Sequence, residues 1–202
     1  MLQNQHIAVR ANILAIYHNK CMKATVLHGS PRKGKNSDTL ADSFLRGFNE
    51  TGDHTVKHFY VNELDIAPCQ GCLSCAVLPH SCRIMDDMQP IYEAYRESDL
   101  IVWVSPMYWG YLTAQLKTVQ DRMEALAWSG FEDKTFAVLL TYRHHYQSTV
   151  SMFRRIAPHF HINLHILDCC TYDPETRRDI PITELPEKIE EASRLGLMLG
   201  RA

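Results

Sequence analysis

The sequence lacks any apolar run long enough to cross a lipid bilayer, because every run ends well short of the roughly 20 residues that a spanning helix needs. It also lacks an excess of charge of either sign, since 21 Lys and Arg against 23 Asp and Glu give a formal net charge of −2. Surfaces that bind polyanions usually carry a strong positive excess. These absences argue against a membrane span, an anionic membrane surface and a nucleic-acid partner.

The amino terminus lacks the pattern of a secretory leader. Residues 1–6 carry no cluster of positive charge, and the mildly apolar stretch 9–17 is not followed by a small-residue cleavage site. We therefore expect a cytoplasmic protein. Residues 1–21 also precede the first regular element, and we expect them to be a loosely attached N-terminal extension. They are either an upstream addition from a misplaced start codon or a genuine arm.

The chain does contain a regular alternation of strand and helix patterns. Short continuous apolar runs predict strands buried on both faces, and apolar positions three and four apart predict helices. The predicted strands are 24–27, 55–61, 100–104, 135–141 and 162–167, and the predicted helices are 38–50, 86–97, 112–128, 147–160 and 185–199. This alternation predicts one α/β domain over 22–202, a doubly wound, five-stranded parallel sheet of order 2-1-3-4-5 with helices on both faces. Ligands of such sheets bind beyond the carboxyl ends of the strands, beside strands one and three.

The loop after the first predicted strand, GSPRKGKNSDT over 29–39, runs from a buried strand into the start of a helix. A helix N-terminus presents free N–H groups and the positive end of the helix dipole, and both suit a phosphate. The spacing matches neither the Walker nor the Rossmann pattern, which favours one terminal phosphate over a triphosphate. The alternative is an ordinary polar turn with Ser37 capping the helix. Polar donors and positive charges come from Ser30, Arg32, Lys33, Asn36, Ser37 and Thr39.

A second loop, SPMYWG over 105–110, follows the strongest strand pattern. Pro106 stiffens the turn, and Gly110 permits backbone conformations that other residues resist. Tyr108 and Trp109 suit contact with a flat aromatic ligand. The alternative is that both rings cap the core, but a position beside the crevice favours the ligand.

Three motifs in this order carry a family resemblance. They are HGSPRKGKNSDTL over 28–40, CQGCLSC over 69–75 with a later Cys82 before DDM, and SPMYWGYLTAQLKTVQDR over 105–122. Over roughly 22–200 the chain resembles the NADPH-dependent FMN reductase family, and within it the iron–sulfur flavoproteins, which have the flavodoxin-like fold. The resemblance implies an FMN phosphate on the first loop and an isoalloxazine ring against the second. The implied residues are Ser30, Arg32, Asn36, Ser37 and Thr39, with Lys33 adding charge, and Pro106, Met107, Tyr108, Trp109 and Gly110.

The resemblance also implies an activity and an assembly. NAD(P)H would give a hydride to FMN, and electrons would pass to a small-molecule acceptor such as a quinone or free flavin, or to a carrier protein such as ferredoxin. A homodimer or homotetramer is implied as well. The alternative function is a non-enzymatic electron carrier or redox sensor. One departure from the family pattern is the turn at 141–145, which reads TYRHH without a glycine; Thr141 stays a candidate flavin contact, and bulky side chains are expected to narrow access.

Four of the seven cysteines are spaced C-x2-C-x2-C-x6-C, at Cys69, Cys72, Cys75 and Cys82. In a reducing compartment such a group binds metal or does redox chemistry more often than it forms disulfides. One [4Fe–4S] cluster is favoured, and it would give the flavin a one-electron outlet. Unligated thiols and a structural zinc, with His80 able to replace one thiolate, stay open as alternatives.

The remaining cysteines and two histidines are assigned no chemistry. We expect Cys169 and Cys170 to follow the last strand as buried small hydrophobic residues. Cys21 belongs to the extension and has no assigned role. His161 and His165 are expected to share one strand face, and without a third ligand they do not predict a metal site.

Overall fold

A computed structural model of the chain describes residues 21–77, 81–127 and 130–202. Five parallel strands form one sheet in the order β2-β1-β3-β4-β5, which confirms the predicted order. These strands are β1 (Lys23–His28), β2 (Thr55–Tyr60), β3 (Leu100–Pro106), β4 (Thr135–Tyr142) and β5 (Asn163–Cys170). Apart from Cys21, the predicted extension 1–21 lies outside the described residues. Within the described ranges, no helix has the length and apolar character needed to span a membrane.

The helices follow the strands in the predicted alternation. They are α1 (Asn36–Asn49), α2 (Ser74–Val77), α3 (Met88–Glu97), α4 (Ala114–Arg122), α5 (Gln147–Ile156) and α6 (Pro186–Leu199). A short antiparallel hairpin follows the sheet in the chain. Its two strands, β6 (Tyr172–Asp173) and β7 (Arg178–Asp179), have two residues each. Short 3₁₀ turns cover Val61–Glu63, Met123–Leu126 and Ile182–Glu184.

The central strand β3 shows why the sheet is covered on both faces. All its residues are buried, and neighbouring side chains point to opposite faces. Ile101 and Trp103 contribute to one apolar layer, together with α3, α4 and α5. Val102 and Val104 contribute to the other layer, together with α1 and α6. Both layers hold the carboxyl ends of β1, β3 and β4 at one edge.

Two glycines allow α1 and α6 to pack closely. A Cβ added at Gly47 would lie 1.9 Å from the Ser193 carbonyl oxygen, and one added at Gly196 would lie 1.9 Å from the Phe44 carbonyl oxygen. No larger residue fits at either position without moving a backbone. This contact fixes the direction of α1, whose N-terminus faces the predicted ligand edge.

Several predicted boundaries differ from the structure. The predicted helix 112–128 is the shorter α4 followed by a 3₁₀ turn, and Trp128 lies outside the described residues. The predicted helix 147–160 ends at Ile156. The last strand continues to Cys170, so the two adjacent cysteines belong to it rather than follow it. The expectation that both are buried was wrong, because Cys169 is buried and Cys170 is exposed.

Candidate functional site

A cleft of about 790 Å³ opens beyond the carboxyl ends of β1, β3 and β4. It lies where the strand order reverses, the usual ligand position in this architecture. Nine predicted site residues line it: Ser30, Arg32, Asn36, Ser37, Pro106, Met107, Tyr108, Trp109 and Thr141. Lys33, Thr39 and Gly110 are not part of its lining. Both predicted loops therefore contribute to one cavity.

The loop after β1 is anchored by backbone contacts to β3 and α4. The Gly29 N–H donates to the Val104 carbonyl at 2.8 Å, and the Thr113 hydroxyl donates to the Gly29 carbonyl at 2.7 Å. An added Cβ at Gly29 would lie 2.8 Å from Leu116, so only glycine fits here. The Arg32 N–H donates to the Ser30 hydroxyl oxygen at 3.1 Å. These contacts hold the backbone of the loop at the cleft and leave the Arg32 side chain exposed.

Asp38, in the first turn of α1, stabilises the same loop. Its carboxylate accepts the Gly34 N–H at 2.6 Å and lies 2.8 Å from Nδ1 of the buried His28. Burial raises the pKa of Asp38, but the contacts to His28 and Gly34 outweigh it and hold that pKa below its usual value. His28 Nε2 in turn lies 3.1 Å from Nδ1 of His58. A buried ionised carboxylate therefore fixes the conformation of residues 34–38.

The start of α1 differs from the predicted cap. Its N-cap is Lys35, which makes no side-chain cap hydrogen bond. Ser37 instead lies inside the helix, where its hydroxyl is 2.8 Å from the Thr141 hydroxyl. The polar-turn alternative, in which Ser37 caps the helix, is therefore wrong about this cap. The pair forms a buried polar floor that links the β1 loop to the end of β4.

Asn36 connects this helix to a distant part of the chain. Its amide nitrogen donates to the Ile180 carbonyl at 3.0 Å, and its amide oxygen accepts the Ile182 N–H at 3.0 Å. Lys33 points elsewhere: its ammonium group contacts Glu63 at 2.9 Å and lies 3.8 Å from the centre of the Tyr60 ring. Of the two basic residues predicted in this loop, Arg32 is the one that lines the cleft.

The loop after β3 forms a tight turn that presents an aromatic side chain. Tyr108 and Tyr111 exchange backbone hydrogen bonds of 2.9 and 3.0 Å. Trp109 and Gly110 between them have φ of 53° and 75°. A positive φ costs a non-glycine residue about 1 kcal/mol. Trp109 is 106% exposed, so it is not a core residue. Packing of its side chain against the described residues therefore does not explain its positive φ.

The last residue of β4 and the turn after it carry bulky side chains where the family pattern has a glycine. Tyr142 and Arg143 both line the cleft. The Arg143 guanidinium contacts Asp179 on β7 at 2.5 Å and lies 5.6 Å from the Tyr172 ring. The hydrogen bond to Asp179 raises the pKa of Arg143. An exposed ion pair thus joins two walls of the cleft.

Sequence reasoning missed one wall, which is formed after β5. Thr171, Asp179, Ile180 and Pro181 line this side of the cleft. They follow the carboxyl end of a strand, so the rule that selected the other loops also applied to this one. The segment carries no phosphate-loop or aromatic motif, so its sequence gives no sign of a ligand contact. Lys35 also lines the cleft and was not predicted.

The predicted cysteine ligands lie on a separate segment, residues 67–84, which we call the cysteine segment. Cys69 and Cys72 are exposed, whereas Cys75 and Cys82 are partly buried against the core. The Ser74 hydroxyl lowers the pKa of Cys72, and burial raises that of Cys75. Across the described residues, no three His, Cys, Asp or Glu side chains are grouped so that they could hold one metal ion. The four thiols therefore do not form a preassembled metal site.

Among the described residues, no histidine belongs to a group of three potential metal ligands. The zinc alternative that used His80 lies outside the described residues. His161 precedes β5 with a φ of 52°, so it does not share a strand with His165. Burial lowers the pKa of His165 and raises that of Cys169 to about 11. Both groups are therefore uncharged at neutral pH.

Known proteins resemble the chain in sequence and in fold. An iron–sulfur flavoprotein of Methanosarcina thermophila is 40% identical over 110 residues, which cover 54% of this chain and 56% of that protein. The chain thus spans about half the length of the curated relatives it matches. An NAD(P)H:quinone oxidoreductase from Methanothermobacter marburgensis superposes with a TM-score of 0.68 at 16% identity, covering 89% of this chain and 98% of the other.

A further structural neighbour is an FMN-dependent NADH-azoreductase of Bacillus anthracis in complex with FMN. It superposes with a TM-score of 0.65 at 13% identity, covering 88% of this chain and 99% of the other. At these identities the two structures establish the flavodoxin-like fold alone. The family described as NADPH-dependent FMN reductase matches residues 22–171, a region that includes both cleft loops, the turn after β4 and the cysteine segment. The chain therefore belongs to the NADPH-dependent FMN reductase family.

Proposed function

We propose that the chain binds FMN in the cleft and passes electrons from NAD(P)H to an acceptor such as a quinone, a free flavin or an electron-carrier protein. One observation carries this proposal. A single cleft combines a helix N-terminus with basic side chains at one end and an exposed aromatic turn at the other. Those two features suit the phosphate and the ring of a flavin mononucleotide.

The residues present fit FMN. The first turn of α1 has no side-chain cap, which leaves its N–H groups for an anion, and Arg32 and Lys35 supply positive charge beside it. The Ser37–Thr141 pair lies at the floor between the two ends of the cleft. Pro106, Met107 and Tyr108 form the wall proposed to contact the ring. When bound, FMN accepts a hydride and releases electrons one or two at a time.

The side chains of this chain supply binding and water exclusion rather than a nucleophile or general base. Tyr142, Arg143 and the hairpin segment that includes Asp179 narrow the cleft opposite the aromatic turn. We propose that these side chains limit access to the flavin, as expected from the missing glycine.

We propose that the cysteine segment takes up a [4Fe–4S] cluster only after its thiols move closer together. Support comes from the four-cysteine spacing and from the names of the related iron–sulfur flavoproteins. Iron and sulfide analysis of protein prepared without oxygen tests this. Stoichiometric zinc, or no metal after anaerobic reconstitution, contradicts it.

A homodimer or homotetramer, a ferredoxin-like partner and a cytoplasmic location are further proposals that rest on the family resemblance. Light scattering of the purified chain tests the assembly directly. A monomer at micromolar concentration contradicts the homo-oligomer.

Anaerobic mixing of the FMN-loaded chain with NADPH or NADH tests the activity. We expect the blue absorbance of the flavin to bleach within a catalytic turnover time and to return when a quinone or free flavin is added. Stable FMN binding without bleaching by either donor would favour the alternative, a non-enzymatic carrier or redox sensor. A chain that binds no FMN would contradict both.

A further inference from the structure

A buried ion pair joins the two ends of the cysteine segment. The Arg122 guanidinium, with 1% of its side chain exposed, forms a two-point contact with Asp86 at 2.8 and 3.1 Å. The same guanidinium donates to the Ala67 carbonyl at 2.7 Å and to the Ile84 carbonyl at 3.2 Å. Ala67 and Ile84 are the first and last residues of the cysteine segment. One side chain therefore holds both ends of the segment that carries all four motif cysteines.

Asp86 completes this arrangement from the other side. Its carboxylate accepts the Ala67 N–H at 2.9 Å and the Met88 N–H at 3.1 Å. Both backbone polar groups of Ala67 are therefore engaged, one by each member of the ion pair. A second link lies just outside, where the Asp87 carboxylate accepts the Asp65 N–H at 2.7 Å. Side chains therefore make most of the contacts between the entry and the exit of the segment, and the Asp87 N–H adds one backbone hydrogen bond to the Asp65 carbonyl at 3.3 Å.

Arg122 is itself firmly placed. It is the last residue of α4, and its backbone carbonyl accepts a hydrogen bond from the buried Tyr92 hydroxyl at 2.8 Å. Within the described residues its Nε–H has no hydrogen-bond partner. A buried cation that contacts loop carbonyls costs desolvation energy, and a well-packed apolar pair would fill the same space more cheaply. Packing alone therefore does not account for an arginine here.

The Gln89 side-chain amide also donates to the Ile84 carbonyl at 2.7 Å and to the Cys82 carbonyl at 3.4 Å, whereas much of the rest of the described segment is exposed. Cys69, Cys72, Leu73 and Val77 are all exposed, and Leu73 has a φ of 57°. Cys75 and Cys82 pack against the apolar core. Closing a flexible loop costs entropy, and a fixed base removes that cost before any ligand binds.

We infer that Arg122, paired with Asp86, is a positioning residue: it holds the two ends of the cysteine segment together and keeps Cys75 and Cys82 against the core independently of bound metal. Arg122 has this role in the metal-free chain, whether or not the chain binds flavin.

Thiol reactivity of the full-length, metal-free chain tests this inference. Each cysteine is followed by mass spectrometry during modification with a soluble maleimide. In Arg122→Met we expect Cys75 and Cys82 to react about tenfold faster, because their reaction then follows local opening of the segment. The exposed Cys69 and Cys72 should change less than about twofold. Arg122→Lys should fall between wild type and Arg122→Met, since lysine keeps the charge but not the two-point contact.

A general loss of fold stability must be distinguished from loss of the Arg122 contact that positions the cysteine segment. The double variant Arg122→Met/Asp86→Leu removes the pair without leaving one charge buried, so it is the variant that keeps the fold. Leu40→Ala, in the opposite core layer, is the matched control because it destabilises the chain without touching the segment. Faster reaction of Cys75 and Cys82 in the double variant, but not in Leu40→Ala at equal Tm, supports the inference. Unchanged rates in the double variant, or equal acceleration in Leu40→Ala, overturn it.

Discussion

At the scale of single residues, some side chains that line the cleft also form hydrogen bonds with one another. Ser37 and Thr141 show this most clearly, since their hydroxyls lie 2.8 Å apart and both residues are buried. The sequence placed each of them in a different loop. Only the folded chain shows that each satisfies the other.

We predict that Ser37→Ala and Thr141→Val are coupled. Each single change leaves one buried hydroxyl without its partner, and the double change removes both. The free energies of unfolding should therefore be non-additive by about 1 kcal/mol, within the usual range for a neutral hydrogen bond. Urea unfolding of the four proteins in the cycle measures this. Strict additivity would show that the pair makes no energetic contact.

Trp109 has a different role at the same scale. Its side chain is fully exposed and its φ is 53°. We predict that Trp109→Ala slows flavin turnover severalfold but changes Tm by less than a few degrees, because no core contact is lost. Trp109→Gly should raise stability slightly by relieving the positive φ. Melting curves and NADPH oxidation rates check this; a large fall in Tm with unchanged turnover would assign Trp109 to the fold instead.

At the scale of secondary-structure elements, α1 must point its N-terminus at the cleft, and its contact with α6 fixes that direction. We predict that Gly47→Ala or Gly196→Ala lowers stability by at least about 2 kcal/mol, since either added methyl group would overlap a backbone carbonyl of the opposite helix. FMN affinity should fall as well, because α1 shifts. Arg46→Ala, at an exposed position on α1, is the control. Stability equal to wild type in both glycine variants would contradict the packing described here.

The strands show how far the sequence alone could predict this fold. A short continuous apolar run rich in β-branched residues, such as 100–104, favours a strand buried on both faces, and its position and order were predicted correctly. The end of β5 was missed because an edge strand is only half covered and its pattern is weaker. The hairpin β6–β7 was missed because two-residue strands have no periodicity. Contacts such as Arg143–Asp179 join residues far apart in the chain, and spacing cannot show them.

At the scale of the whole molecule, buried titratable groups predict how stability depends on pH. Burial lowers the pKa of His54, His58 and His165. The unfolded chain therefore binds more protons at these sites, and stability falls as the pH drops through their ordinary value of about 6.5.

Two aspartates predict a second loss at lower pH. The pKa of Asp38 and that of Asp86 are held below the usual value, because hydrogen bonds to His28 and Arg122 respectively outweigh the effect of burial. Their contribution is complete above about pH 4 and is lost as the pH falls through their folded values. Urea unfolding across the acid range measures both stages. In Asp38→Asn, the free energy of unfolding should fall less steeply with decreasing pH in the lower stage than it does in wild type. The same slope as in wild type would contradict the assignment.

We propose that the cleft holds FMN by both its phosphate and its ring. The most direct measurement is fluorescence titration of the flavin-free chain with FMN and with riboflavin, which lacks the phosphate, for wild type, Arg32→Ala and the exposed control Arg194→Ala. We predict that wild type binds FMN at least about tenfold more tightly than riboflavin, since a charge-assisted hydrogen bond contributes about 1.5–3 kcal/mol. Arg32→Ala should reduce that preference and Arg194→Ala should keep it. Equal affinity of wild type for FMN and riboflavin, or no binding of either, would contradict the account.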